Sequence, residues 1–238
     1  MIEKPQGRPP FRADHVGSLL RPQVLRQAFR DHHAKRIDDA AFAKIQDECI
    51  RDVVKMQQEV GLKVANDGEF RRGSYWGRFV ERIDGFVIKP AIFKFRDDQG
   101  HEVEFTAPYA NGRLRRNKPL ALDEFEFLRG IIKVEPKITL PAPSTMHFYR
   151  ATDFAAKYAY ADVESFFADL SRIFREEIAD LAKAGCRYIQ LDEVAIALLC
   201  DPAIRKQVEA QGMKPDELVD LYIQSINDAV AGAPADVV

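Results

Sequence analysis

Twice in this 238-residue chain a long amphipathic stretch that opens on an aspartate and closes on a glycine hands over directly to a short apolar run. The first begins at Asp38, carries Phe42, Ile45, Cys49, Val53, Met56 and Val60 at helical spacing, and stops at Gly61 before LKVAND at 62–67. The second begins at Asp162, carries Val163, Phe166, Leu170, Phe174, Ile178 and Leu181, and stops at Gly185 before CRYIQL at 186–191. An aspartate carboxylate satisfies unpaired N–H groups of a first helical turn, and a glycine takes the left-handed position after the last turn without a Cβ clash. Helices that feed strands need crossover connections, and these imply a parallel sheet. FRADHV at 11–16 and KITLPAP at 137–143 supply two more strands. A further helix is predicted over 215–232, with Pro215 in its first turn and Leu218, Leu221, Tyr222, Ile226 and Val230 on one face.

One segment breaks the alternation. Residues 83–116 alternate apolar and polar side chains around a DDQG turn, which predicts a β-hairpin inserted after the second strand, outside the sheet core. Trimming such a hairpin is expected to spare the fold more than trimming a helix. No Gly/Ser linker, low-complexity tract or short-period repeat divides the chain, so residues 1–238 are read as a single domain.

Composition then excludes several function classes. Lysine plus arginine number 35 against 37 aspartates and glutamates, a formal net charge of -2, which favours neither nucleic acid nor an anionic membrane. The N-terminal MIEKPQGRPPFRADH has no apolar signal core, and no run approaches the roughly 18 apolar residues of a membrane span, so a cytoplasmic location is expected. Cys49, Cys186 and Cys200 have no C-x-x-C spacing and read as reduced thiols, without a disulfide framework or a thiolate metal site.

In parallel α/β folds ligands bind where strands hand over to loops at their carboxyl ends. Here those ends read DHVGS (14–18), NDGEFRR (66–72), PAPSTMH (141–147) and LDE (191–193). Backbone N–H groups near Gly17 and Ser18 suit the carboxylate of a small zwitterion, and Glu69 or Asp192 suits its ammonium. Each motif alone has a blander reading. Asp192 and Glu193 could cap the helix that VAIALLC begins, His15 could be a structural histidine, and Trp76 could pack in the core instead of stacking on a ligand. His32, His33 and His101 read as solvated. The co-occurrence of these groups at equivalent strand ends favours a site.

At these residues the chain resembles the catalytic barrel of cobalamin-independent methionine synthase, and more closely its short single-barrel relatives. HVGS (15–18) resembles the family's I-G-S strand end, and DGEFRRGSYWGRF (67–79) follows its H-G-E-x-x-R segment with Gly68, Glu69, Arg72 and Phe79 in register. PAPST (141–145) is a loose counterpart of T-G-P-V-T, and IQLDEVA (189–195) resembles I-Q-I-D-E-P-A. The resemblance implies a TIM (β/α)8-type barrel, and homocysteine held by Gly17, Ser18, Glu69 and Asp192, with His15, Arg72, Trp76 and Glu193 as additional candidates. It also implies zinc as the activator of the thiol and a 5-methyltetrahydrofolate-type methyl donor. Asp67 stands in place of the family histidine, Val194 in place of a proline, and Leu198 where larger members have a functional glutamate.

Only about four βα units are visible where a closed barrel needs eight. The expectation is a barrel truncated after its fourth unit, with GAPADVV (232–238) reading as a helix cap, a loop and the start of a fifth strand. In the family the zinc ligands begin with an H-x-C at the end of that fifth strand, so no metal ligand is assigned within this chain. The chain alone is expected neither to bind zinc tightly nor to methylate homocysteine, and its open sheet edges are expected to favour homo-oligomers. Competing readings are alkyl transfer to another thiol, a decarboxylase on the same barrel, and a non-catalytic partial-barrel binding module.

Overall fold

Both capping aspartates start helices: Asp38 accepts a hydrogen bond from the Ala41 N–H and Asp162 from the Ser165 N–H. The computed structural model describes residues 14–96 and 99–238. In chain order the elements are α1 (Gln23–His33), α2 (Asp39–Glu59), β1 (Val64–Ala65), α3 (Gly77–Glu81), β2 (Ile83–Pro90), β3 (Phe95–Arg96), β4 (Glu102–Val103) and β5 (Thr106–Arg116). They continue with α4 (Leu122–Ile131), β6 (Glu135–Pro141), α5 (Thr145–Phe148), α6 (Val163–Ala184), β7 (Tyr188–Asp192), α7 (Ala195–Leu198), α8 (Pro202–Ala210) and α9 (Pro215–Val230).

The parallel sheet runs β1-β6-β7, its strands in the order in which they occur in the chain, with the β2–β5 ribbon between the first two in sequence. The strand predicted at 11–16 lies half outside the described residues, and Asp14, His15 and Val16 belong to no strand. Val238 pairs with the start of β7, its N–H donating to Arg187 O and its carbonyl accepting from Ile189 N–H, each at 2.9 Å.

Register decides what each face of the sheet offers. Lys137 lies opposite Tyr188, Thr139 opposite Gln190 and Pro141 opposite Asp192, so one face is almost wholly polar. On the other face Ile138 and Leu140 are buried, and Ile189 and Leu191 pack against the same apolar core. A barrel interior is ordinarily filled by branched apolar side chains. The inner face here instead carries hydrogen-bonding groups that must find partners.

Two expectations need correction. The buried stripe of α2 runs through Gln46, Cys49, Ile50, Val53, Val54 and Gln57, while Met56 and Val60 are exposed. The helix turns two glutamines inward, where they meet backbone polar groups of the following loop. The second correction concerns 83–116. β2 and β5 do form an antiparallel ribbon, with β3 and β4 as a smaller ribbon at its tip. It is not an excursion, because Ala107, Tyr109, Ala110 and Leu114 of β5 lie in the core, and Phe93 packs on Phe148. The alternation is that of a half-buried strand, whose apolar face needs a cover, and α6 and α5 provide it.

Replacing 84–115 by a short loop should therefore abolish cooperative unfolding, and Leu114→Ala should cost about 2–5 kcal/mol in urea denaturation. A shortened protein that still unfolds cooperatively would restore the dispensable-hairpin reading.

Candidate functional site at the strand ends

The loop after β1 is held in a rare conformation. Gly68 has φ 67° and Glu69 φ 59°, two consecutive residues in the left-handed region. For glutamate this costs about 1–2 kcal/mol, so surrounding contacts must fix it. Asn66 Oδ1 accepts the Gly68 N–H and Asp67 Oδ1 accepts the Glu69 N–H, each at 2.8 Å. From α2, Gln57 grips Asn66 at both ends, donating to its carbonyl at 2.8 Å and accepting its N–H at 3.1 Å. Gln46 donates to Phe70 O at 3.2 Å. This is why the helix turns glutamines inward.

The buried Glu69 carboxylate accepts the Thr139 hydroxyl at 2.7 Å and lies 3.5 Å from Arg72. Arg72 is itself committed elsewhere: it chelates Glu124 of α4, with Nη2 at 2.7 Å, and donates to the hydroxyl and carbonyl of Thr139 at 3.0 and 2.8 Å. Gly17 stands directly over this site. A Cβ there would come within 2.8 Å of Glu69 Oε1 and 3.0 Å of Thr139 Cγ2, so only glycine fits. Asn66 Nδ2 donates to Gly17 O at 3.0 Å and Leu19 N–H to Gly68 O at 3.1 Å, which ties the first motif to the second.

The same N-terminal segment is fastened to the polar sheet face by Lys137, whose side chain is fully buried. Its ammonium donates to both Asp14 oxygens at 3.1 Å, to Gln190 Oε1 at 2.9 Å, and to the His15 carbonyl. Tyr188 adds a hydroxyl donor to Asp14 at 2.7 Å. Burial works against ionisation of Asp14, but these donors hold its carboxyl below the usual range.

Asp192 and Glu193, adjacent in sequence, have separate roles. Glu193 accepts the Ile196 N–H at 2.8 Å and the Ser144 hydroxyl, so it caps α7. Asp192 instead accepts from the Gln190 side chain, and its pKa is raised by burial and by the charge of Glu69, against the pull of Gln190, Arg72 and Lys137. The charge of Glu69, in the loop after β1, thus acts on Asp192 at the end of β7. Ser18 follows Gly17 and is exposed.

The other candidates fall outside this pairing. His15 meets Gln57 through Nε2 and acts as a brace for the loop. Trp76 is buried, with α3 beginning after it. His147, whose pKa burial drives down to about 3, bonds Tyr222 at 2.9 Å among aromatic rings. A cleft of about 760 Å³ is lined by Arg71, Tyr75, Trp76 and Arg78 with Phe29 and Phe42, but by neither Glu69 nor Asp192. Lys137, Thr139, Gln190 and Glu124 escaped the motif reading. The alternation in KITLP and YIQLD was the available signal, since it sends every second side chain to one face.

The described residues include no helix long and apolar enough to cross a membrane. Residues 11–212 match the family model for the catalytic domain of cobalamin-independent synthase. The Bacillus subtilis protein YxjH, itself uncharacterized, is 35% identical over 234 residues, which is 97% of this chain and 60% of that protein. A methionine synthase of Sulfolobus acidocaldarius is 27% identical over 94% of this chain and 58% of its own length. Among solved structures, a Listeria monocytogenes protein provisionally assigned as a vitamin-B12-independent methionine synthase superposes with TM-score 0.75 at 30% identity, covering 96% of this chain and 64% of that one. A B12-independent methionine synthase from Shewanella, in complex with selenomethionine, gives TM-score 0.62 at 23% identity over 82% of this chain and 51% of its own. The chain therefore spans about 60% of the length of the curated relatives it matches, and its α/β arrangement is that of the TIM-barrel type.

Asp67 makes the loop pH-sensitive. Burial first, then the charge of Glu124, pushes its pKa from 3.8 up to about 6, with Arg72 opposing. The folded state thus keeps a proton that the unfolded chain gives up, and this contribution to stability is full below pH 4 and lost as pH rises through about 6. At 1.36 kcal/mol per unit the loss is roughly 3 kcal/mol. Asp67→Asn should therefore be more stable than the parent at pH 7.5 in urea titrations, and should lack the decline between pH 4 and 6. An equal decline in both proteins would assign it to another group.

Proposed function

This chain belongs to the family of the cobalamin-independent synthase catalytic domain, and on that footing we propose that it serves methyl transfer from a 5-methyltetrahydrofolate-type donor to the thiol of homocysteine, giving methionine. The observation that carries the reading is the buried Glu69 carboxylate, held by the Thr139 hydroxyl beside Gly17, with its charge acting on Asp192 at the end of β7. Arg72 offsets them only in part, because its guanidinium is shared with Glu124. The pair retains net negative charge in a partly water-excluded place, which suits a substrate ammonium.

In this reading Glu69 and Asp192 accept the ammonium of the amino acid, and backbone N–H groups at Gly17 and Ser18 receive its carboxylate. Thr139 and Arg72 keep the Glu69 carboxylate from rotating away. Binding in one orientation makes the later transfer effectively intramolecular, a contribution of several kcal/mol to the barrier in favourable cases. The selenomethionine bound by the Shewanella relative is an amino acid of the product's shape and supports this choice of ligand.

Zinc is the thiol activator in the family, yet among the described residues no group of three or more His, Cys, Asp or Glu side chains could hold a metal ion. These residues do not fit zinc. What the reading gives to this chain is recognition and orientation of the amino acid. The balanced charge supports a small-molecule partner over nucleic acid or membrane.

Calorimetric titration with L-homocysteine and with L-methionine should show binding by the chain. Glu69→Gln should weaken it by about 1.5–3 kcal/mol, the range for a hydrogen bond to a charged group. Unchanged affinity would remove Glu69 from the site.

A further inference from the structure

The least economical residue in the strand-end loop is Asp67. It is 3% exposed, its Oδ2 has no hydrogen-bond partner, and two other buried carboxylates, Glu69 and Glu124, lie around the same guanidinium. A third carboxylate in such a place destabilises the fold at neutral pH, so packing does not explain it. What it does locally is specific. Asp67 Oδ1 accepts the N–H of Glu69, and that N–H belongs to the one non-glycine residue of the loop with a left-handed φ.

We propose that Asp67 is a positioning residue, whose buried carboxylate holds the Glu69 backbone in its left-handed conformation and thereby aims the Glu69 side chain at the amino-acid site. The inference rests on the reading of Glu69 as a ligand to the substrate ammonium. Without an acceptor at position 67 the Glu69 N–H would be buried and unpaired, and the backbone would relax toward negative φ. The Glu69 side chain would then swing off the Thr139 hydroxyl, which holds it at 2.7 Å. Asn66 cannot substitute, because its side chain is occupied by the Gly68 N–H and the Gly17 carbonyl.

The charged groups that act on Asp67 are Glu124 from α4, and Glu69 and Arg72 from its own loop. From the N-terminal segment Arg21 reaches the Arg72 carbonyl at 2.6 Å and the Glu69 carbonyl at 3.4 Å, and α2 contributes the neutral Gln46 and Gln57. When Asp67 is protonated it becomes a weaker acceptor, and the hold on Glu69 loosens.

Two variants and two readouts test this. The first readout needs no ligand: Trp76, the single tryptophan, ends the stretch that leads from this loop to α3. Its fluorescence in the ligand-free protein should change between pH 7.5 and 5, and this change should be absent in Asp67→Asn. The second is L-methionine affinity. It should fall about fivefold over the same pH range in the parent, the difference between a charged and a neutral acceptor. Asp67→Asn, which keeps an oxygen acceptor, should bind at pH 7.5 within a few-fold of the parent and show a shallower profile, with only the dependence contributed by Asp192 left, whereas Asp67→Ala should lose about tenfold or more at every pH. Identical fluorescence and affinity profiles in the parent and Asp67→Asn would overturn the proposal. If the parent binds no L-methionine at any pH, the amino-acid reading fails, and the Trp76 titration alone then decides whether Asp67 sets the loop.

Discussion

An ammonium group with no access to water, that of Lys137, sets the terms for the rest of the site. Removing such a charge from water costs several kcal/mol unless every proton finds an acceptor. β6 offers none on its own polar face, since Thr139 is engaged with Glu69 and Arg72. The acceptors come from Gln190 of β7 and from the segment 14–16, through Asp14 and the His15 carbonyl. The N-terminal segment is thus drawn across the sheet, and Gly17 arrives over Glu69. The position of the first motif follows from the burial of one lysine in β6.

A second ionic cluster, outward from the first along the strands, organises the acidic end. Arg72 ties the β1 loop to α4 through Glu124 and to β6 through Thr139, so the parts that carry Glu69 cannot move independently. Asp67 and Asn66 hold the turn from inside the loop, and Gln46 and Gln57 hold it from α2. Such a lattice contributes little net stability for the number of charges it buries, and the raised pKa of Asp67 is the visible sign of that cost. Its consequence is precision at Glu69, the atom set on which the amino-acid reading depends.

The parts of this arrangement legible in the sequence are those fixed locally. Asp38, Asp162 and Gly185 mark helix ends because capping is decided within a few residues, and the strands after Gly61 and Gly185 follow from short-range pattern. The first two strand-end motifs carry Gly17 and Glu69, which the fold brings side by side. What was hidden depends on partners far along the chain. Nothing near Gln57 says that it will pair with Asn66, and nothing near Lys137 says that Asp14, 123 residues earlier, will meet it. The ribbon at 83–116 was misjudged for the same reason: alternation reveals that one face is apolar but not that α6 covers it. The pair Asp192–Glu193 divides its duties, one residue capping and one accepting from Gln190, and only the turn of the chain after β7 distinguishes them.

The central claim is that the buried ammonium of Lys137 fastens the first motif over the second. Hydrogen exchange at the Leu19 amide, which donates to Gly68 O, reports that fastening without any ligand. In Lys137→Met the Leu19 amide should lose most of its protection while the amides of α6 keep theirs. Leu19 protection equal to that of the parent, with α6 unchanged, would show that the segment is held by other means and that the account has placed its keystone wrongly.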